Sequence, residues 1–120
     1  MKNSFLAVSI ILMISCSTER NPDYRLPPPA DLISEDKMVT IILEARIKEA
    51  WLNEAGIKYD SAQKLFEYIY EPEILKNNQV ADTTFLKSYQ YYLSDPDLMK
   101  DIYGRVIDSL NIKQKLSQVN

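Results

Sequence analysis

The sequence predicts an all-α domain, a small bundle of about four helices with one short extra helical turn. Apolar residues recur at helical spacing in several segments, and no segment shows the alternation of a half-buried strand. Only two glycines occur, Gly56 and Gly104, and Pro72 and Pro96 stand at expected helix boundaries. We expect the helical domain over residues 32–116, followed by a frayed C-terminus over residues 117–120.

Residues 1–15 have the parts of a secretory signal peptide. Lys2 supplies a positive start, and an uncharged apolar run extends from Phe5 to Ile14. The run is half the length of about twenty residues that a membrane-spanning helix needs. Ser15 is small and directly precedes Cys16, which is the single cysteine of the chain. We therefore expect residues 1–15 to be removed as a leader.

Residues 13–16 resemble the lipobox of bacterial lipoproteins, with Met13 where leucine is usual. This resemblance implies cleavage between Ser15 and Cys16, a diacylglycerol on the Cys16 sulfur and an acyl chain on its amine. One acyl chain gives only marginal membrane binding, so several chains on one residue make a lasting anchor. The alternative is an uncleaved or ordinary signal peptide. A disulfide is excluded because no second cysteine exists.

Residues 16–31 are predicted to form an acylated, proline-rich tether. The segment is polar and contains Pro22 and the run Pro27–Pro29, so we expect it to stay extended rather than fold. Residues 17–31, when extended, would reach about 45 Å from the bilayer. A proline-rich ligand for a binding domain is the alternative interpretation.

The first helix is predicted from a cap at Ser34 to about Ala55, with Gly56 as its stop. Its apolar residues form two faces, which indicates a central helix packed on both sides. The first face contains Met38, Ile41, Ile42, Ala45 and Leu52. The second contains Val39, Leu43, Ile47, Ala50 and Trp51.

Three further helices and one turn are expected. The second helix begins near Asp60 and is ended or kinked by Pro72, after which residues 72–78 form the short turn. Asp82 is expected to cap a third helix over residues 83–93, and Asp95 a fourth that frays near Lys115. The predicted inward residues of the third helix are Phe85, Leu86, Tyr89, Tyr92 and Leu93. Those of the fourth are Leu98, Met99, Ile102, Tyr103, Val106, Ile107 and Leu110.

Composition excludes several function classes. The formal net charge is −3, without clustered basic residues, which argues against nucleic acid as a partner. The chain has no histidine, and Cys16 is assigned to lipid, so we expect no metal site and no His-dependent nucleophilic catalysis. No glycine-rich nucleotide-binding motif occurs, and we expect no cofactor.

Four side chains of the first two helices and one of the third are candidate site residues. Glu49 projects into an apolar face of the first helix, with Arg46 one turn earlier. It is either a functional acid in a pocket or a structural carboxylate paired with Arg46 or a tyrosine hydroxyl; we favour the structural role. Trp51, Tyr68 and Tyr91 are candidates for an aromatic interface, with core packing as the alternative.

The order of motifs is similar to a family of small lipoproteins from Bacteroidetes, catalogued as domain of unknown function 4296. The resemblance is carried by the acid-rich start of the first helix with Met38, by Tyr70 with Ile74 and Leu75, and by the later spacing of Phe85, Ser88, Tyr91, Tyr92, Pro96, Ile102 and Tyr103. The chain has Arg46 where the family often has a histidine. The resemblance implies a lipoprotein and a helical fold, and no activity.

We therefore expect a non-enzymatic accessory lipoprotein that binds another envelope protein. It should be lipid-anchored at the outer membrane and face the periplasm, since Ser17 is not the aspartate that retains some lipoproteins at the inner membrane. One alternative is a small chaperone-like module that binds an apolar ligand between its helices. The other is a hydrolase that uses carboxylate and tyrosine side chains, which would need two facing acids.

Overall fold

The computed structural model describes residues 25–119, and this part of the chain contains helices and no strand. The predicted signal peptide with Ser15, the predicted lipid attachment residue Cys16 and the first part of the predicted tether lie outside the described residues. The helices are α1 (Glu35–Glu54), α2 (Tyr59–Leu65), α3 (Glu71–Asn77), α4 (Asp82–Leu93) and α5 (Pro96–Val119). A π-helical stretch, Phe66–Tyr70, joins α2 to α3. The protein is therefore a small all-α bundle, as the sequence predicts.

Helix α1 is the central helix. Its start agrees with the prediction, since the Ser34 hydroxyl accepts a hydrogen bond from the Lys37 amide at 3.2 Å. Gly56 follows its end with a φ of +67°, which a side chain would disfavour. One side of α1 contacts α5, and the other contacts α2, the π-helical stretch and α3. The second predicted face is only partly buried, because Ile47 and Trp51 are exposed.

Pro72 does not end the second helix, so of the two outcomes predicted for this residue, an end or a kink, the end is wrong. Helices α2 and α3 and the π-helical stretch form one uninterrupted segment, here called the rod, over residues 59–77. The Glu71 amide donates to the carbonyl of Phe66, five residues earlier, so the widened turn directly precedes Pro72. Because proline has no N–H, a locally widened turn lets the helix continue through it.

Helix α4 begins one residue earlier than expected. Ala81 is its N-cap residue, so Asp82 is the first helical residue rather than the cap. Asp95 caps α5 as predicted, and its Oδ1 accepts from the amides of Asp97 (3.1 Å) and Leu98 (3.3 Å). Helix α5 continues to Val119 and does not end near Lys115, although residues 111–119 are all exposed.

The segment just before α1 is not a free tether. Residues 25–33, here called the strap, lie against α4 and are fastened to it by hydrogen bonds. The Leu26 amide donates to Ser94 Oγ at 3.0 Å, and the Ile33 amide donates to Ser88 Oγ at 3.1 Å. The Tyr92 hydroxyl donates to the Ile33 carbonyl at 2.7 Å. The expectation of an unordered tether as far as residue 31 is therefore wrong from Arg25 onward.

The strap also changes which face of α4 is buried. Ser88 is not among the predicted inward residues, yet it is fully buried, whereas Leu86 and Leu93, which are predicted to point inward, are about half exposed. The reason is that Leu32 and Ile33 pack beside α4 and bury a face that includes Ser88 and Tyr92. A buried hydroxyl is tolerated there because the Ile33 amide is its hydrogen-bond partner.

Two buried clusters lie on the two sides of α1. The larger one joins α1, α4 and α5, and its members are Met38, Val39, Ile42, Tyr92, Met99, Ile102 and Val106. The smaller one joins α1 to α3, and its members are Ile41, Ile74 and Leu75. Arg105 of α5 also pairs with Glu35 and Asp36 at the start of α1.

Candidate binding surfaces

The smaller cluster borders a pocket of about 220 Å³ between α1, the rod and the start of α4. Apolar side chains dominate its wall, and here we call it the inner pocket. Polar groups reach it from Arg46, Glu49, Glu71, Tyr89 and Tyr103. The apolar lining residues are Ile41, Ile42, Ala45, Phe66, Ile74, Leu75 and Phe85.

Arg46 and Glu49 are neighbours at this pocket, but they do not form a buried site. Arg46 Nη1 lies 2.7 Å from Glu49 Oε2, and the two side chains are 48% and 39% exposed. The expected burial of Glu49 is therefore wrong: the acid lies at the mouth of the pocket, where solvent reaches it. Since an ion pair this exposed contributes little to stability, its main effect is to orient both side chains.

Two tyrosines that the sequence assigned to the core continue this polar edge. The hydroxyls of Tyr89 and Tyr103 are 3.2 Å apart, and Arg46 lies over the Tyr103 ring, 6.0 Å from its centroid. Burial, with the hydrogen bond to Tyr103 as a second cause, raises the pKa of Tyr89 to about 12. The Glu49 carboxylate, followed by the Tyr103 hydroxyl, raises the pKa of Arg46. At neutral pH the edge therefore presents the neutral phenol of Tyr89 and a paired guanidinium.

Glu71 is not among the candidate site residues that the sequence predicts. It lines the inner pocket, where burial raises its pKa and the nearby carboxylates of Asp82 and Glu67 raise it further. The sequence feature that could have indicated this location is the position of Glu71 directly before Pro72. The π-helical stretch ends there and changes the direction of the side chains that follow. No periodicity argument based on a regular α-helix could place it inward.

A second, larger cavity of about 500 Å³ continues from the inner pocket along α1 and the rod. We call it the outer groove. It shares Glu49, Phe66 and Glu71 with the inner pocket, and its other lining residues are Leu52, Asn53, Tyr59, Ala62, Gln63 and Glu67. The lining thus combines an apolar floor with three carboxylates and no basic side chain. Over residues 25–119, no three His, Cys, Asp or Glu side chains are grouped so that they could hold a metal ion.

The predicted aromatic interface residues are not brought together. Trp51 is 54% exposed and packs edge-on against Tyr70, with ring centroids 6.5 Å apart. Tyr68 is 77% exposed, but it is two residues from Tyr70 and so does not share its face. Tyr91 is partly buried and packs against Tyr92 at 5.3 Å, near the start of α1. Trp51 is about 25 Å further along that helix.

Trp51 is instead the centre of a smaller surface, here called the aromatic patch, that consists of Ile47, Trp51 and Tyr70. Ile47 is 38% exposed and lies one turn before Trp51 on α1. Lys48 Nζ lies 4.9 Å from the centroid of the Tyr70 ring, which adds a cation beside the aromatic rings. The patch therefore offers both an apolar surface and a positive charge to solvent.

One of three comparisons with known proteins identifies a family for the chain. No curated protein and no solved structure matches it significantly. Among residues 25–119, no helix has both the length and the apolar character that a membrane crossing would require. A family model described as "Domain of unknown function (DUF4296)" matches residues 29–116, which begins within the strap and covers all of α1 to α4 and most of α5. As the order of its motifs predicts, the chain belongs to this family of domains of unknown function.

Proposed function

We propose that the protein is a lipid-anchored protein of the cell envelope that works without catalysis, as an accessory module that binds another envelope protein. The leader and the position of Cys16 support the anchor. The observation that carries the binding role is the exposed Trp51 in the aromatic patch, since tryptophan is enriched among the residues that dominate binding energy.

The anchor is tested by the Cys16→Ser variant of the full-length chain. We expect the unaltered protein to incorporate labelled palmitate and to fractionate with outer membranes, and the variant to lose the label. Protease treatment of intact cells tests the proposed periplasmic side, where the domain should be protected. A freely soluble, unlabelled product of the unaltered gene would contradict the anchor.

The binding role is tested by affinity purification of the full-length protein from detergent-solubilised membranes. Trp51→Ala should reduce recovery of the copurifying protein at least about tenfold, as loss of a residue that dominates binding does. Ile107→Ala on α5 is the matched control, because Ile107 is also 54% exposed but lies outside the patch. Equal recovery with both variants would show that the aromatic patch is not the binding surface.

A second candidate function is the binding of a small apolar ligand, and the inner pocket favours it. Its volume of about 220 Å³ lies below the usual range of pockets for drug-sized ligands, so only part of a long molecule, such as one end of an acyl chain, would fit. A fluorescent fatty-acid probe should bind the unaltered protein, and Ala45→Trp, which fills the pocket, should abolish that binding. If the probe binds both proteins equally, the pocket is not its site.

Catalysis by an acid pair is the least supported function, although Glu49 and Glu71 line one pocket. Glu49 is paired with Arg46, whose Nη1 lies 2.7 Å from Glu49 Oε2. The residue that acid catalysis would need is Glu71, whose pKa is raised. We expect no hydrolysis of cell-wall glycans by the purified protein. Hydrolysis that disappears in Glu71→Gln would overturn the non-enzymatic proposal.

A further inference from the structure

The C-terminal end of α5, residues 111–119, forms an overhang that no other part of the described chain covers. All nine residues are exposed and helical. Ile112, Leu116 and Val119 are 59%, 62% and 84% exposed, and their spacing puts them on one side of the helix. A helix end of this length is marginal in water without a packing partner. The overhang therefore carries an apolar stripe in need of a surface.

The charges of the overhang have one sign. Lys113 and Lys115 are its charged side chains, and no acidic residue occurs between positions 111 and 119. The outer groove has the opposite charge, since Glu49, Glu67 and Glu71 line it without a basic residue. Glu49 is already paired with Arg46, whereas Glu67 receives only a neutral hydrogen bond from Gln63 at 2.8 Å. Glu67 and Glu71 are thus the carboxylates available to a cation.

The apolar features of the two surfaces also correspond. The floor of the outer groove contains Leu52, Ala62 and Phe66, which can receive a row of aliphatic side chains. Along the rod, the lining runs from Tyr59 to Glu71, about 18 Å of helix, and the overhang is about 13 Å long. The overhang therefore fits within the length of the groove.

We propose that the overhang of one molecule docks in the outer groove of a second copy, with its apolar stripe on the floor and its lysines beside Glu67 and Glu71. Helix α5 is unbroken, so the overhang does not turn back to the groove of its own molecule. The contact joins two different surfaces of the protein. A closed dimer forms if each of two molecules places its overhang in the groove of the other. Confinement to one membrane would raise the effective concentration of copies, so a weak contact suffices. The inference does not require the aromatic patch to bind a partner.

The first test is photocrosslinking of the full-length protein in cell membranes. A benzoylphenylalanine at position 116 should give a product of twice the monomer mass, and mass spectrometry should locate the crosslink in residues 49–71. The same group at position 107, which is exposed on α5 before the overhang, is the control and should give little of this product. Crosslinks from position 116 only to a different protein, or to another face of the second copy, would overturn the proposal.

The second test is a charge exchange. Lys113→Glu with Lys115→Glu should lower the yield of the crosslinked pair about tenfold, and so should Glu67→Lys with Glu71→Lys. In a pair made of one copy of each variant, both contacts again join opposite charges, so the yield should recover when the two variants are coexpressed. Lys87→Glu with Lys100→Glu changes the net charge equally at exposed sites elsewhere and should have little effect. Failure of the coexpressed variants to recover the yield would refute the lysine–carboxylate contact.

Discussion

The two sides of α1 are packed to different degrees. On the side of α4 and α5, Met38, Ile102 and Val106 are almost fully excluded from solvent, and the strap covers the neighbouring face of α4. On the side of the rod, the buried cluster is smaller and borders the inner pocket and the outer groove. One helix thus has a closely packed side, which supplies most of the stability, and an open side that is available for binding.

The largest expected effect comes from the packed side. Ile102→Ala should lower the free energy of unfolding by about 3–5 kcal/mol, since a fully buried side chain leaves a cavity that its neighbours cannot fill. Ile74→Ala is the matched change on the open side. It should cost about 2 kcal/mol, because the site already borders a pocket and less new cavity is created. Chemical denaturation of both variants measures the difference, and equal losses would contradict the distinction between the two sides.

A smaller effect is expected where the strap meets α4. Ser88→Ala removes the hydroxyl that accepts from the Ile33 amide and leaves that part-buried N–H without its partner, at a cost of about 1–3 kcal/mol. Amide hydrogen exchange at Ile33 should also become faster. Ser61→Ala, at an exposed position on α2, is the control and should change neither quantity appreciably. Unchanged exchange at Ile33 in Ser88→Ala would show that the strap is held by other contacts.

The smallest expected effect is on the open side and depends on pH. Burial raises the pKa of Glu71 in the folded protein above its ordinary value of 4.5. As pH rises from 4.5 through the folded-state pKa, ionisation of Glu71 therefore disfavours the folded state. Glu71→Gln should therefore stabilise the protein at pH 7 by about 0.5 kcal/mol or less, given solvent screening, and raise its melting temperature by no more than about 2–4 °C. At pH 3, where the acid is protonated in both states, the two proteins should melt together. Thermal melts at both pH values test this, and a gain that persists at pH 3 would have another cause.

The sequence predicts where the helices of this protein begin and end better than it predicts what packs against them. Ser34, Gly56 and Asp95 act locally on their own helix ends, so the predicted boundaries of α1 and the start of α5 are confirmed. The strap could not be predicted, because isolated apolar residues among prolines have no periodicity and its partners are more than fifty residues away. The inward direction of Glu71 could not be predicted either, because it depends on the π-helical stretch before Pro72.

The site residues divide in the same way. The Arg46–Glu49 pair follows from helical spacing alone, and the structure contains it. Other features depend on how separate helices meet, which the spacing of one helix does not encode. They are the solvent exposure of Glu49, the position of Tyr91 and the contact of Trp51 with Tyr70.

The fastening of the strap has a consequence for how the domain would be oriented. Arg25 lies 3.1 Å from Asp95, so the described chain enters the domain at the corner between α4 and α5. If Cys16 carries lipid, as proposed, residues 17–24 would be the link between the lipid and the strap, and eight residues span about 25 Å when extended, compared with about 45 Å for residues 17–31. The corner would then stay near the headgroups, while Trp51, at the far end of the central helix, would point into the aqueous compartment.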